Sequence, residues 1–177
     1  MLLIGVDWER KGCEFAVAVL VELRRRGVSA RLDIVGCNPP SGFSVPEGVI
    51  CHGFMNKRDS VDVGKLRDLL LEATMLISPV KAECQGIVFN EAAAFGLPVI
   101  ATDTGGIGSV VCNGVTGILM RVEALPVDWC DRISQLCSDE DGYRQTAANA
   151  LLEFRARLSW KSSANRVSSI LDAIRVC

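Results

Sequence analysis

Apolar positions follow two alternating rhythms along this chain. Short, largely apolar runs occur at Leu2–Val6, Leu32–Val35, Val49–His52, Met75–Ser78, Val99–Thr102 and Ile118–Met120, and they fit strands buried on both faces. Between them the period lengthens to that of a helix. From Gly12 to Arg26, Phe15, Ala16, Val19, Leu20 and Leu23 share one stripe, and Arg24, Arg25 and Arg26 place cations at its C-terminal end before Gly27. Ser60 is the predicted cap of a second helix, with Val61, Leu66, Leu69, Leu70 and Ala73 on one face. A nearly all-apolar helix runs through Ala94 to the stop at Gly96 and Pro98, Thr104-Gly-Gly-Ile107 opens a short helix, and Asn113-Gly114 makes a turn.

After Pro126 the pattern is wholly helical. Trp129, Ile133 and Leu136 form one stripe, Tyr143, Ala147, Ala150, Leu151 and Phe154 a second, and Trp160, Ala164, Val167, Leu171 and Ile174 a third. Strands separated by helices predict an α/β fold, a doubly wound, Rossmann-like parallel sheet of about six strands with helices on both faces and a helical C-terminal segment. Ligands of such sheets sit beyond the carboxyl ends of the strands. Lys11, Glu83, Glu91 and Gly105 all fall just after predicted strands, on that edge.

Composition narrows the partners. The 177 residues suit one domain, and a net charge of −2 offers no basic field for a nucleic-acid backbone or an anionic bilayer. The opening apolar run meets Asp7 too early for a signal peptide, and no run approaches the roughly 20 residues that span a bilayer. Eight cysteines without any Cys-x-x-Cys pair, with His52 the only histidine, read as free thiols in a reducing cytosol and leave no ready zinc site.

Candidate chemistry concentrates between Glu83 and Glu91, two carboxylates with seven residues between them. A helix starting near Gly86 leaves the amides of Gly86, Ile87 and Val88 unpaired, with the positive end of the helix dipole behind them, a place for an anionic phosphate. Glu83 and Glu91 can each accept hydrogen bonds from pairs of hydroxyls. The plainer reading makes Glu83 a dipole-matched acid at the helix start and Glu91 a solvated face residue.

These residues resemble a known family, the nucleotide-sugar-binding C-terminal half of glycosyltransferase family 4 enzymes of the two-domain GT-B fold. The resemblance rests on Gly5-Val-Asp-Trp-Glu-Arg-Lys-Gly12, Val35-Gly36, His52-Gly-Phe54, Glu83 to Glu91 running on to Pro98, Gly105-Gly-Ile107 and Asn113-Gly-Val-Thr-Gly-Ile118. It implies transfer of a hexose from a nucleoside-diphosphate sugar, a UDP or GDP sugar, to a glycan or lipid-linked acceptor, with retention of configuration and without a metal or other cofactor. It implies that Lys11 neutralises the diphosphate beside the Ile87 and Val88 amides, that Glu83 holds donor-sugar hydroxyls and Glu91 the ribose, and that Gly5, Gly86, Gly105 and Gly106 line the donor site. Lys11 and Glu83 are then the catalytic pair. Many relatives have arginine where this chain has Val6, and Arg10 is its candidate substitute.

The resemblance covers residues 1–177 as a single donor-binding domain and starts at the second half of the family's architecture, so the N-terminal acceptor-binding domain is the expected missing partner. The isolated chain is expected to bind donor and transfer poorly. The helix from Trp160 to Cys177 resembles the element that packs toward the other half, which makes its apolar face a candidate self-association surface. The implied location is cytoplasmic, peripheral to the membrane in the full enzyme. Competing classes are a stand-alone nucleotide-sugar-binding module, a nucleotide-sugar epimerase half, and a dinucleotide oxidoreductase suggested by Gly106-x-Gly108 with Glu123 downstream. Asp139-Glu-Asp141 imitates a metal-binding Asp-x-Asp but reads as a helix cap with first-turn acids.

Overall fold

Five of the six apolar runs become strands largely buried between helices, and the run at Val49–Gly53 forms a half-exposed edge strand with Ile50 facing solvent. In the computed structural model, which describes residues 1–175, they are β1 (Leu2–Ile4), β2 (Leu32–Val35), β3 (Val49–Gly53), β4 (Leu76–Ser78), β5 (Val99–Thr102) and β6 (Gly117–Met120). All neighbours pair in parallel, in the order β3-β2-β1-β4-β5-β6. Alternate residues of each strand serve different cores. Leu3, Ile34, Ile77 and Ile100 pack with α1 (Cys13–Arg25) and with Trp129 and Ile133 of α4 (Pro126–Ser138). Leu2, Val35, Leu76 and Val99 pack with α2 (Ser60–Glu72), α3 (Ile87–Ala94) and α5 (Glu140–Glu153). The sheet therefore has helices on both faces, as the alternation of periods predicts.

This order fixes where a ligand crevice can open. From β1 the chain steps outward through β2 to β3, then returns to β4 on the other flank of β1 and steps outward through β5 to β6. The loops leaving β1 and β4 thus diverge to opposite faces, and a crevice forms between them at the carboxyl edge.

Local corrections to the sequence reading are small and have identifiable causes. Asp59 rather than Ser60 caps α2, its Oδ1 accepting from the amide of Val61 at 2.8 Å; both residue types cap well, and the one preceding the first helical turn takes the role. Val61, placed on the buried face by periodicity, is exposed, while Leu66 and Leu70 are buried. The helix expected after Thr104 is a single 3-10 turn, Ile107–Ser109. That removes the helix start on which a dinucleotide fingerprint depends, so the oxidoreductase reading fails. Asp139 caps α5 as expected, its Oδ1 accepting from Gly142 at 2.9 Å.

The arginine run closes α1 within a carboxylate network. Arg25 and Arg26 both bond Glu22, Arg24 bonds Glu47 at 2.8 Å, and Arg26 also bonds Asp131 at 2.5 Å. The second C-terminal stripe ends in a π-helical turn, Phe154–Leu158, before α6 (Trp160–Arg175). On α6 the apolar residues Trp160, Val167, Leu171 and Ile174 remain exposed. Seven cysteines are free thiols, and Cys177 lies outside the described residues.

Candidate functional site

At the crevice between β1 and β4, glycines let three loops touch backbone to backbone. Gly12, the residue before α1, has φ 67°, and a Cβ there would sit 2.1 Å from the carbonyl oxygen of Pro79, just after β4. Gly105, with φ 56°, and Gly106 follow β5, and Cβ atoms on them would lie 1.9 Å from the carbonyl oxygens of Glu83 and Cys84 respectively. The Gly106 amide donates to the Glu83 carbonyl at 3.3 Å. This pair supports the Glu83 loop from beneath, and the Gly106 amide is already engaged there. The Lys81 amide donates to the Arg10 carbonyl at 3.1 Å, joining the β1 and β4 loops a second time.

Lys11 is held inside this frame. Its stem runs across Gly5, where an added Cβ would lie 2.4 Å from Lys11 Cγ, so only glycine leaves room for it. The Lys11 ammonium donates to Glu83 Oε2, with the two side chains 10% and 14% exposed. Glu83 Oε1 also accepts from the Cys84 amide at 3.2 Å, and the Arg10 guanidinium lies 3.7 Å from Glu83 Oε2. The hydrogen bond from Lys11 is the main reason the Glu83 carboxyl is held below its ordinary range; burial opposes it, and the Lys11 and Arg10 charges add to it. Asp7 holds the Arg10 backbone, its Oδ1 accepting from the Arg10 amide at 2.9 Å, and its Oδ2 lies 3.8 Å from Arg10 Nε.

The start of α3 lies beside this pair. Gly86 has φ 73°, and a Cβ there would lie 3.2 Å from Glu83 Cγ and 2.6 Å from the Phe89 ring. Gly86, Ile87 and Val88 make no amide hydrogen bond to the described protein, as expected of a helix start, whereas Phe89 already donates to the Gly86 carbonyl at 3.1 Å. One buried ammonium and a guanidinium therefore meet at one carboxylate, next to a helix start with three open amides, an arrangement suited to an anionic ligand with adjacent hydroxyls. Val6 is exposed at the same edge and supplies no charge.

Glu91 occupies a different setting. It lies on α3 beyond the first turn, and its Oε1 accepts from the ammonium of Lys57, which comes from the loop after β3. Its Oε2 is buried without a hydrogen-bond partner. Lys57 was absent from the residues singled out by sequence; its signal was position, since it follows a strand on the same carboxyl edge as Lys11 and Glu83. Beyond this pair an open trough of about 980 Å³ extends between α2, α3 and α6, touching Gln85, Ile87, Lys57 and Glu91. Neither Lys11 nor Glu83 lines it. The structure thus gathers Gly5, Arg10, Lys11, Glu83, Gly86, Gly105 and Gly106 at one crevice, and places Glu91 at its margin with the trough.

Sheet order and switch-point crevice together define a doubly wound, Rossmann-like α/β domain. Residues 1–139 match the family described as Glycosyl transferases group 1, and the chain belongs to that family. It is similar to the D-inositol 3-phosphate glycosyltransferase of Corynebacterium kroppenstedtii, 38% identical over 185 residues that cover 97% of this chain and 40% of that protein. Among solved structures, sucrose-phosphate synthase of Thermosynechococcus elongatus aligns with a TM-score of 0.77 at 21% identity, over 99% of this chain and 45% of that one. Anabaena HepE, solved in complex with UDP-glucose, aligns with a TM-score of 0.75 at 17% identity, over 97% of this chain and 48% of that one. These likenesses establish the shared GT-B type of fold, and the chain spans less than half the length of each protein.

Proposed function

We propose that this chain is the C-terminal, donor-binding half of a retaining, metal-independent glycosyltransferase of family 4, which transfers a hexose from a UDP or GDP sugar to a glycan or lipid-linked acceptor. The observation that carries the reading is the meeting of Lys11, Glu83 and the open first turn of α3 at the sheet's switch point. Similarity to a protein solved with UDP-glucose supports the donor class.

In this reading the diphosphate sits on the amides of Ile87 and Val88, with Lys11 shared between it and Glu83. Glu83 takes donor-sugar hydroxyls and Glu91 the ribose. Negative charge grows on the diphosphate as the glycosidic bond breaks, and fixed positive groups aimed at it lower that barrier without a metal ion. Arg10, within 3.7 Å of Glu83, stands in for the arginine absent at Val6. Gly105 and Gly106 contribute by fixing the carbonyl side of the Glu83 loop.

Acceptor binding belongs to the N-terminal half of the GT-B architecture, which lies outside residues 1–177, so these residues by themselves bind donor and transfer poorly. The free thiols support a cytoplasmic setting, with the full enzyme peripheral to the membrane. The exposed apolar residues of α6 support contact with the other half or with a second copy. Titration calorimetry with UDP, GDP and their sugar conjugates tests the reading. Lys11→Ala should weaken nucleoside-diphosphate binding by about 1.5 to 3 kcal/mol, the range for a hydrogen bond to a charged group. Unchanged affinity would remove the phosphate assignment. Adding a separate N-terminal domain and assaying transfer distinguishes a catalytic half from a binding module.

A further inference from the structure

We propose that Lys57 is a positioning residue for ribose recognition, pinning one oxygen of Glu91 so that the other is presented to the sugar hydroxyls of a nucleoside diphosphate. The inference rests on the donor-binding reading above. Its basis is the unequal treatment of the two Glu91 oxygens: Oε1 meets the Lys57 ammonium, whereas Oε2 is buried and unpaired. A carboxylate oxygen out of water and without a donor is costly, and it is relieved by a donor that enters the site. Ribose hydroxyls are donors of that kind, and Glu91 stands one turn and more beyond the open amides of α3.

Lys57 itself is held on a fixed loop. The Asp59 amide donates to the Asn56 carbonyl at 2.9 Å, the Arg58 amide to Asn56 Oδ1 at 3.0 Å, and the Asn56 amide to Asp62 Oδ2 at 2.9 Å. The residue is thus flanked by a closed turn tied to the start of α2, and its side chain crosses from that turn to α3. An ammonium carries donors and no acceptor, so it can orient a carboxylate without competing for the hydroxyls that the carboxylate accepts. With Lys57 54% exposed, the pair adds little to fold stability, which leaves orientation as its main effect.

The test compares UDP and GDP with their 2′-deoxy and 3′-deoxy counterparts by calorimetry on the 177-residue chain. The unaltered protein should prefer the ribose form by about tenfold or more, the value of a hydroxyl on a charged acceptor. Lys57→Met should bring that preference to within about twofold, and Lys57→Arg, which keeps the charge, should restore it. Lys57→Gln, which keeps length without charge, should behave as Lys57→Met. A purely structural lysine would weaken ribose and deoxyribose forms in equal proportion, so either uncharged variant retaining the full preference overturns the proposal. An unaltered protein that binds UDP or GDP without ribose preference overturns it too, yet leaves the phosphate site standing. Absence of binding by any of these nucleotides removes both.

Discussion

Glu83 and Glu91 flank the same helix start, and each is met by one lysine, yet the two pairs live in different solvents. Lys11 and Glu83 are 10% and 14% exposed and enclosed by three loops; Lys57 and Glu91 are 54% and 26% exposed at the edge of a trough. The first pair is surrounded by fixed polar groups: the Cys84 amide on Oε1 and the Arg10 guanidinium near Oε2. The second leaves Oε2 of Glu91 with nothing. Equal chemistry at the level of residue type therefore separates into a closed electrostatic unit and an open, half-satisfied one. Burial, more than charge, makes that division.

The sharpest way to break this contrast is stability. Lys11→Met removes the hydrogen-bonded cation of an enclosed carboxylate, leaving only the more distant Arg10 charge, and should lower unfolding free energy by about 3 kcal/mol, read from urea denaturation. A loss no larger than that of a surface pair would show that Glu83 is solvated after all. Next in size is ligand selectivity. Glu91→Ala should weaken a nucleoside diphosphate and its sugar conjugate alike by about 1.5 to 3 kcal/mol, whereas Glu83→Ala should act mainly on the sugar conjugate. Equal losses for both ligands in both variants would erase the division of roles.

Lys57→Met should cost less than about 1 kcal/mol of stability, the range for an exposed pair. The smallest effect concerns pH. Because the folded Glu83 carboxyl is held below its ordinary value of 4.5, its stabilising contribution is complete above that value and disappears as pH falls through the lowered native one. Urea midpoints of the unaltered protein should thus fall more steeply below about pH 4.5 than those of Glu83→Gln. Parallel curves would mean that Glu83 titrates alike in folded and unfolded chains.

Most of the scaffold was legible because a parallel sheet buried on both faces requires unbroken apolar strands, and its helices require stripes. The strands at Leu32–Val35 and Val99–Thr102 have the expected bounds, and Trp129 and Ile133 are buried as their stripe demands. Less legible were features set by tertiary contact. Nothing local distinguishes Asp59 from Ser60 as a cap until the chain direction into α2 is known. The π-helical turn at Phe154–Leu158 falls between the second and third C-terminal stripes, where apolar spacing carries no sign of the wider pitch, and there Asn90 of α3 donates through Nδ2 to the Leu158 carbonyl at 3.3 Å. At the site, the loops holding Lys11 and Glu83 were found from their place after strands. Their mutual pairing was not, because it spans 72 positions and depends on β1 and β4 being neighbours. Lys57 escaped for a similar reason: its partner is 34 positions away, on an element whose orientation only the assembled fold supplies.

The abutting main chains at Gly12, Gly105 and Gly106 carry a consequence for engineering. A base of the crevice made of peptide groups offers no side chain to exchange, so libraries seeking altered donor preference have little to gain there and much folding yield to lose. Diversity belongs on the rim instead, at Gln85, which is exposed beside the trough, where a new side chain meets open space rather than another loop's carbonyl oxygen.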